Sequence, residues 1–388
     1  MIVEQEFAWT KFAWILEKLL GFIWILNKRA CQMIILFFLP LCLFLFIYSM
    51  EKYSRWRDAG TGIQPFLPPV PPRTDSSILV TLSNVIHIVV GPIQAIVKIT
   101  LISIVSAVYF LFVPVFGALL TPIAPLKRLW TRVFSAILLR LVLFIAGFFH
   151  IKTETLSIRK SRGSGRVESS SVKNGDVIVA NWTSYIDVVY LASRFVPVFT
   201  QIYTESEKIK IISLWEAIRL AGKIPESAPS SDDQVYTVQE LSLKAKKGGW
   251  GPIVVFAEGT TTNGRALLKF APIFKDYKVD QKDGQFQVMA FKYEYAGMSP
   301  TYTVGNQLFH FFKLCSQFHN TLIVKSLANG EAPCSPHSQV PATGSISDDP
   351  VGDLLIAAVG NISKLRKTNL SMTDKRDFLS YYESRKSK

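Results

Sequence analysis

The feature that most constrains this chain is where its charges are missing. Residues 30–48 (ACQMIILFFLPLCLFLFIY) carry none, and residues 78–126 carry only Lys98. A helix needs about 20 apolar residues to cross a hydrocarbon layer of roughly 30 Å, so both stretches are long enough to enter a membrane. The first reads as an uncleaved N-terminal anchor rather than a secretory leader, because its apolar run begins far into the chain and lacks a small-residue cleavage site. Lys28 and Arg29 precede it and Glu51, Lys52, Arg55 and Arg57 follow, which leaves its orientation open. In the second, Pro92, Pro114, Pro122 and Pro125 interrupt the pattern, so two spans and a re-entrant hairpin are both open. A further apolar stretch, 133–149, contains Arg140 and suits an interfacial or docked helix.

Between these stretches, residues 50–77 turn charged and then proline-rich, the composition of an extended linker. The 43 Lys and Arg exceed the 29 Asp and Glu, for a formal net charge of +14, on a chain that is 49% hydrophobic. Basicity implies an anionic partner, and this much apolar content directs it to membrane lipids and away from nucleic acid, for which no binding motif is present. The same composition excludes disorder over most of the length. Cys31, Cys42, Cys315 and Cys334 lack CxxC spacing, and the five histidines, His87, His150, His310, His319 and His337, lack an HExxH pair. Neither a disulfide framework nor a metal site is expected.

After His150 the pattern becomes an α/β alternation. Strands are predicted over 151–158, 176–180, 196–203, 252–256, 285–295 and 321–326 from their Val, Ile, Phe and Tyr content. Helices are predicted over 184–194, 205–220, 235–247 and 307–318 from apolar residues at three- and four-residue spacing. The fold class is α/β, a mixed sheet flanked by helices over 151–330, preceded by the membrane-embedded hydrophobic helices of 78–150. A linker over 331–350 and a helical basic tail over 351–388 complete the chain.

Two segments can carry chemistry. Asn181-Trp-Thr-Ser-Tyr-Ile-Asp187 follows the strand DVIVA, so Thr183 or Ser184 can cap the next helix with Asp187 in its first turn. Capping alone is an equally good reading of those residues. Phe256-Ala-Glu-Gly-Thr-Thr-Thr-Asn-Gly-Arg265 follows the strand PIVVFA. Gly259 and Gly264 allow close backbone approach, the threonines offer donors and Arg265 can neutralise a phosphate. A plain hairpin loop is the alternative there, and the spacing is not that of a nucleotide P-loop.

In this order and spacing, N-x-x-S-x-x-D and F-x-E-G-T resemble the PlsC-type glycerolipid acyltransferase superfamily, whose usual forms are NHxSxxD and FPEGTRS. MEKYSRWRDAGTGIQPFLP at 50–68 and AEGTTTNGRALLKF at 257–270 resemble more particularly its fungal lysophosphatidic acid:oleoyl-CoA acyltransferase branch. Residues 1–49 stand outside that resemblance and read as an extra anchor or a gene-model extension. The resemblance implies an acyl-CoA-dependent O-acyltransferase acting on lysophosphatidic acid. Acyl-CoA is then a co-substrate, no cofactor is bound, and membrane lipids are the other partners. It implies Asp187 as the acidic member of the catalytic pair, with Asn181, Ser184, Glu258, Gly259, Thr260, Thr261 and Arg265 binding substrate. It also implies the endoplasmic reticulum membrane and lipid droplet, with the domain facing the cytosol. The sequons at Asn181 and Asn361 are accordingly expected to be unmodified.

Two departures matter. The family's catalytic histidine is Trp182 here, and indole has no basic lone pair. The Arg of EGTR is Thr261, with Arg265 nearby as a substitute. A further block, Val288-Met-Ala-Phe-Lys-Tyr293, resembles the family's V-x-P-V-x-x-x-Y without its proline. A positioned base contributes about 10²–10⁴ in rate, so its loss weakens catalysis without removing binding or orientation. Asp187 could serve as base if burial raised its pKa, and nothing in the sequence brings His310 or His319 to the site. A lipid-binding or scaffold protein that retains the fold without turnover is the alternative reading.

Overall fold

A computed structural model describes residues 53–69, 78–158, 171–277, 284–295, 297–328, 330–333 and 348–386. The expected anchor over 1–49 and most of the expected 331–350 linker lie outside these residues. The chain divides into two compact units, Met1–Arg57 and Asp58–Lys388. In the first, Ser54–Trp56 form a single 3-10 turn. The second holds every described residue from Asp58 on.

Its helices are α1 (Ile78–Phe110), α2 (Phe116–Leu119), α3 (Ala124–Ile145), α4 (Tyr185–Phe195), α5 (Leu214–Leu220), α6 (Val238–Gly248), α7 (Gln307–Ser316), α8 (Pro350–Ser363) and α9 (Met372–Lys386). Strands β1 (Ile151–Leu156), β2 (Val177–Ala180), β3 (Val198–Gln201), β4 (Ile209–Ile212), β5 (Val235–Tyr236), β6 (Ile253–Val255), β8 (Phe286–Glu294) and β9 (Thr321–Leu327) form one mixed sheet. Its order is β1-β9-β8-β2-β6-β3-β4-β5. β2 is parallel to both β8 and β6, and β6 is parallel to β3; β8–β9, β3–β4 and β4–β5 run antiparallel. β7 (Ala266–Leu267) and β10 (Arg366–Lys367) make a separate parallel pair.

The central strands are apolar on both faces, as strands covered on both sides must be. Ile178, Ala180, Val254, Phe256, Phe291 and Tyr293 join a core with α1, α3, α4 and α7. Val177, Val179, Ile253, Val255, Val288 and Ala290 face the opposite core with α6 and α8. The period-two alternation of each strand thus builds a three-layer α/β/α domain.

Three expectations change. Residues 205–220 are not one helix: Ile209 to Ile212 form β4, paired with Phe199 to Gln201, and Ser213 then caps α5 with Glu216 in a reciprocal capping box. The β-branched run satisfies an open sheet edge, which outweighs the helical spacing. Likewise Val235–Tyr236 form β5, and Thr237 caps α6 with Glu240. The domain also does not stop at residue 330, because Leu355, Ile356, Val359 and Ile362 of α8 are fully or nearly fully buried in the second core.

The expected 50–77 linker is in part a packed strap. Asp58 accepts from Asn369 N at 2.9 Å, and Pro65 accepts from Asn263 N at 2.9 Å. Asn263 Nδ2 donates to Gln64 O and Leu67 O at 2.8 and 2.9 Å, and Phe66 is buried against Phe378. These bonds need the strap's backbone, which is why proline-rich composition alone does not reveal them.

α1, a π-helical turn at Leu111–Val115, α2 and α3 form a helical hairpin, with Trp130 Nε1 donating to Phe112 O at 2.8 Å. One side docks on the domain through Ala95, Ile102, Leu139 and Leu143. Lys98 donates to Gln317 O at 2.7 Å, and Arg140 to Phe148 O and Phe149 O, both at 2.8 Å. The cations are therefore occupied by carbonyls. Much of the remaining surface is exposed apolar side chains, among them Val89, Ile93, Ile96, Leu119, Leu129 and Ile137, with Arg128 and Arg132 also exposed. By length and composition, Val89–Leu119 is long and apolar enough to cross a membrane.

Candidate active site

β2 and β6 lie side by side and parallel, so the segments leaving their carboxyl ends emerge together. Those are the positions where open α/β sheets receive ligands. The first segment is a helix cap. Ser184 is the N-cap of α4 and accepts from Ile186 N, while Asp187 reaches back as the third helical residue. Asp187 Oδ2 accepts from Thr183 N (2.9 Å), Ser184 N (2.8 Å) and Thr183 Oγ1 (3.0 Å). Its Oδ1 accepts from Tyr293 OH at 2.5 Å. Burial pushes the Asp187 carboxyl up to about 6, partly offset by these four donors, led by Tyr293.

Asn181 is fully buried. Its amide spans to the neighbouring strand, donating to Phe291 O at 3.1 Å and accepting from Phe291 N at 2.8 Å. Ser184 Oγ donates to Pro300 O at 2.8 Å. Trp182 is 2% exposed and lies flat on Phe256, with ring centroids 4.7 Å apart and planes 13° from parallel.

The second segment bends back onto the first. Thr262 N donates to Trp182 O at 2.9 Å. Glu258 Oε2 accepts from Trp182 N at 3.4 Å and its Oε1 from Leu268 N at 3.2 Å. Burial pushes the Glu258 carboxyl up to about 8, with the nearby Asp187 adding to the effect, so it is neutral at pH 7. Gly259 sits at φ +66°, and a Cβ there would lie 2.2 Å from Met372 Sδ, so glycine is required twice over. Thr260 is buried, and Thr261 Oγ1 donates to Ala221 O at 3.2 Å. Arg265 is exposed at the far end of the loop, away from the buried carboxyl groups.

Three further groups are brought to this site by contacts that the sequence pattern does not reveal. Lys375 of α9 is 1% exposed and donates to Thr303 O at 2.6 Å and Thr261 O at 3.3 Å, with its ammonium 5.2 Å from the Phe66 ring centroid. Burial lowers it to about 7. His310 places Nδ1 2.9 Å from Tyr185 OH and Nε2 3.0 Å from Thr301 O. A carbonyl only accepts, so Nε2 carries the proton and Nδ1 accepts from Tyr185. Burial lowers His310 to about 4, which keeps it neutral with its lone pair engaged. The third is Tyr293, whose block the sequence marks but whose bond to Asp187 it does not.

Residues 160–280, which contain both segments, match the acyltransferase family. A Schizosaccharomyces pombe protein provisionally named lysophosphatidic acid:oleoyl-CoA acyltransferase is 29% identical over 229 residues, covering 59% of this chain and 69% of that protein. The Drosophila melanogaster lysophosphatidylcholine acyltransferase is 27% identical over 228 residues, covering 57% of this chain but 39% of that protein. The crystal structure of the 1-acyl-sn-glycerophosphate acyltransferase PlsC from Thermotoga maritima aligns over 70% of this chain and 98% of its own, at 14% identity and a TM-score of 0.36. Within the matched residues, Trp182, Asp187, Glu258 and Thr261 are buried, while Arg265 is exposed.

Proposed function

We propose that the protein is a lysophospholipid O-acyltransferase that moves a fatty acyl group, oleoyl among them, from acyl-CoA to lysophosphatidic acid, forming phosphatidic acid. The observation that carries this reading is the coupling of the two motif segments at adjacent strand ends, where Thr262 N meets Trp182 O at 2.9 Å. The named relatives act on lysophospholipids by their names. In the reaction, the acceptor hydroxyl forms a C–O bond to the thioester carbonyl, the C–S bond breaks, and the hydroxyl proton ends on the coenzyme A sulfur. A thioester is already activated, which lowers what the protein must supply in place of a base. Asp187 holds the strand-to-helix turn rigid, and Arg265 provides the exposed cation for an anionic head group or a coenzyme A phosphate.

The apolar hairpin supports membrane residence, which we assign to the endoplasmic reticulum and lipid droplet surface with the domain in the cytosol, where acyl-CoA is available. Glycan on Asn181 would refute that orientation.

One observation favours a second reading, a lipid-binding scaffold without turnover: tryptophan stands where the base belongs and both Asp187 oxygens are already engaged. Full-length protein in detergent micelles, given oleoyl-CoA and lysophosphatidic acid, glycerol 3-phosphate or lysophosphatidylcholine, separates the two. The enzyme reading requires coenzyme A release with phosphatidic acid formed. Lysolipid binding without product from any acceptor would establish the scaffold instead.

A further inference from the structure

We propose that the indole N–H of Trp182 is a catalytic hydrogen-bond donor, aimed at the thioester carbonyl oxygen of the acyl donor. The inference rests on the acyltransferase reading above and gives the residue in the histidine's place a different job.

Trp182 Nε1 is buried and has no partner among the described residues. Around it the polar atoms are saturated: the Asn181 amide, Thr183 Oγ1, Ser184 Oγ and both Asp187 oxygens all have partners. Buried donors in native proteins are nearly always satisfied, so an orphan inside an otherwise complete network calls for a missing acceptor. A second orphan borders the same loop. Thr303 Oγ1 is buried without a partner, and Lys375 Nζ ties Thr303 O to Thr261 O across the turn. Two of the four such atoms among the described residues thus flank one motif segment, which argues against random packing defects.

The acceptor's chemistry follows from the surroundings. Indole is a neutral donor that can never act as a base. A phosphate here would meet two buried carboxyl groups, Asp187 and Glu258, with Arg265 out on the surface. A thioester carbonyl brings no charge until the hydroxyl attacks, and its oxygen then needs a fixed donor. Stacking on Phe256 fixes the indole plane in advance, as electrostatic stabilisation of a growing oxyanion requires. As the C–O bond forms, Nε1–H holds the oxyanion; when the C–S bond breaks, the carbonyl reforms and the acceptor's proton goes to the sulfur.

Trp182→Phe keeps an aromatic ring on Phe256 while removing the N–H together with part of the indole's volume. The expected result is a kcat for phosphatidic acid formation lower by ~10²–10³ with KM for oleoyl-CoA little changed, in a variant that still folds with a Tm lowered only by the lost ring volume. A kcat equal to wild type overturns the proposal, because packing alone would then suffice. A second measurement needs neither turnover nor a folded variant. The Trp182 Nε1–H resonance of 15N-labelled full-length protein should move downfield on adding the ketone analogue of oleoyl-CoA, in which CH2 replaces the thioester sulfur. It should stay in place with lysophosphatidic acid alone. No shift with the ketone, or a shift with lysophosphatidic acid only, overturns the assignment. If wild type turns over no acceptor yet the ketone shifts Trp182, the enzyme reading and the catalytic role both fail, and only a hydrogen bond from Trp182 to a bound acyl carbonyl remains.

Discussion

The two motif segments leave neighbouring strands at the same end of the sheet, yet they are held by opposite means. Asn181–Asp187 is held chiefly from within: a capping box, an Asp187 carboxylate on four donors, and a two-armed amide to the next strand. Glu258–Arg265 is held from outside. The strap at 58–67 bonds Asn263, the β7–β10 pair and Leu370 O fasten residues 266–269, and Lys375 and Met372 of α9 press on Thr261 and Gly259. The first segment is therefore rigid by its own chemistry. The second is rigid only as long as both ends of the unit remain in place.

The largest test of this contrast is Asp187→Ala. It leaves Thr183 N, Ser184 N and Tyr293 OH buried and unpaired, and at ~1–3 kcal/mol for each such group it should cost at least ~3 kcal/mol in denaturant unfolding as well as most of the turnover. Equal turnover by a folded Ala variant would remove Asp187 from the reaction. Next comes Glu258→Gln, read as a function of pH. Because burial raises Glu258 from 4.5 to about 8, its contribution is fully present below pH 4.5 and is lost as pH climbs through about 8. The Gln variant has no such loss, so its Tm relative to wild type should rise steadily from pH 5 to pH 8 and level off beyond. A constant difference would mean that Glu258 is already ionised in the fold.

Two smaller effects probe the outer clamp. Lys375→Met keeps the apolar stem but strips donors from Thr261 O and Thr303 O, for a cost of about 1–3 kcal/mol. Its signature should be early protease cleavage within α9, with the sheet core still protected from hydrogen exchange. Cleavage spread equally through both would show that α9 is no separable clamp. The smallest is Asn263→Ala, which removes the side-chain bonds to Gln64 O and Leu67 O and the one accepted from Arg265 N, while leaving Asn263 N on Pro65 O. About 1 kcal/mol each is expected, with faster exchange confined to the strap and loop. An unchanged exchange rate at 61–67 would show that the strap is held elsewhere.

The same division explains what could be read from the chain. The cap at Ser184 and Asp187 was legible because capping depends on residues three apart, and the core strands were legible from alternating or continuous Val and Ile. β4 was not, since Ile209 to Ile212 satisfy helical spacing and strand pairing alike, and only the free edge of β3 decides between them. The strap was hidden for a different reason. Its bonds to Asn263 use backbone carbonyls, and every residue type except in its side chain offers the same carbonyl. The Asn181 amide ties β2 to β8, a role that depends on which strand lies beside it.

By itself, then, the sequence determined an apolar front, an α/β domain and two polar segments that each follow a core strand, with Trp182 in the first of them. Those are properties of residue type and short spacing. The tertiary structure alone decided that Trp182 lies flat on Phe256 with its N–H unanswered, that Glu258 is buried enough to stay neutral, and that Lys375 reaches a loop more than a hundred residues earlier in the chain. Solvent exclusion and long-range hydrogen bonds depend on what the fold brings together, and a residue's neighbours in sequence do not report them.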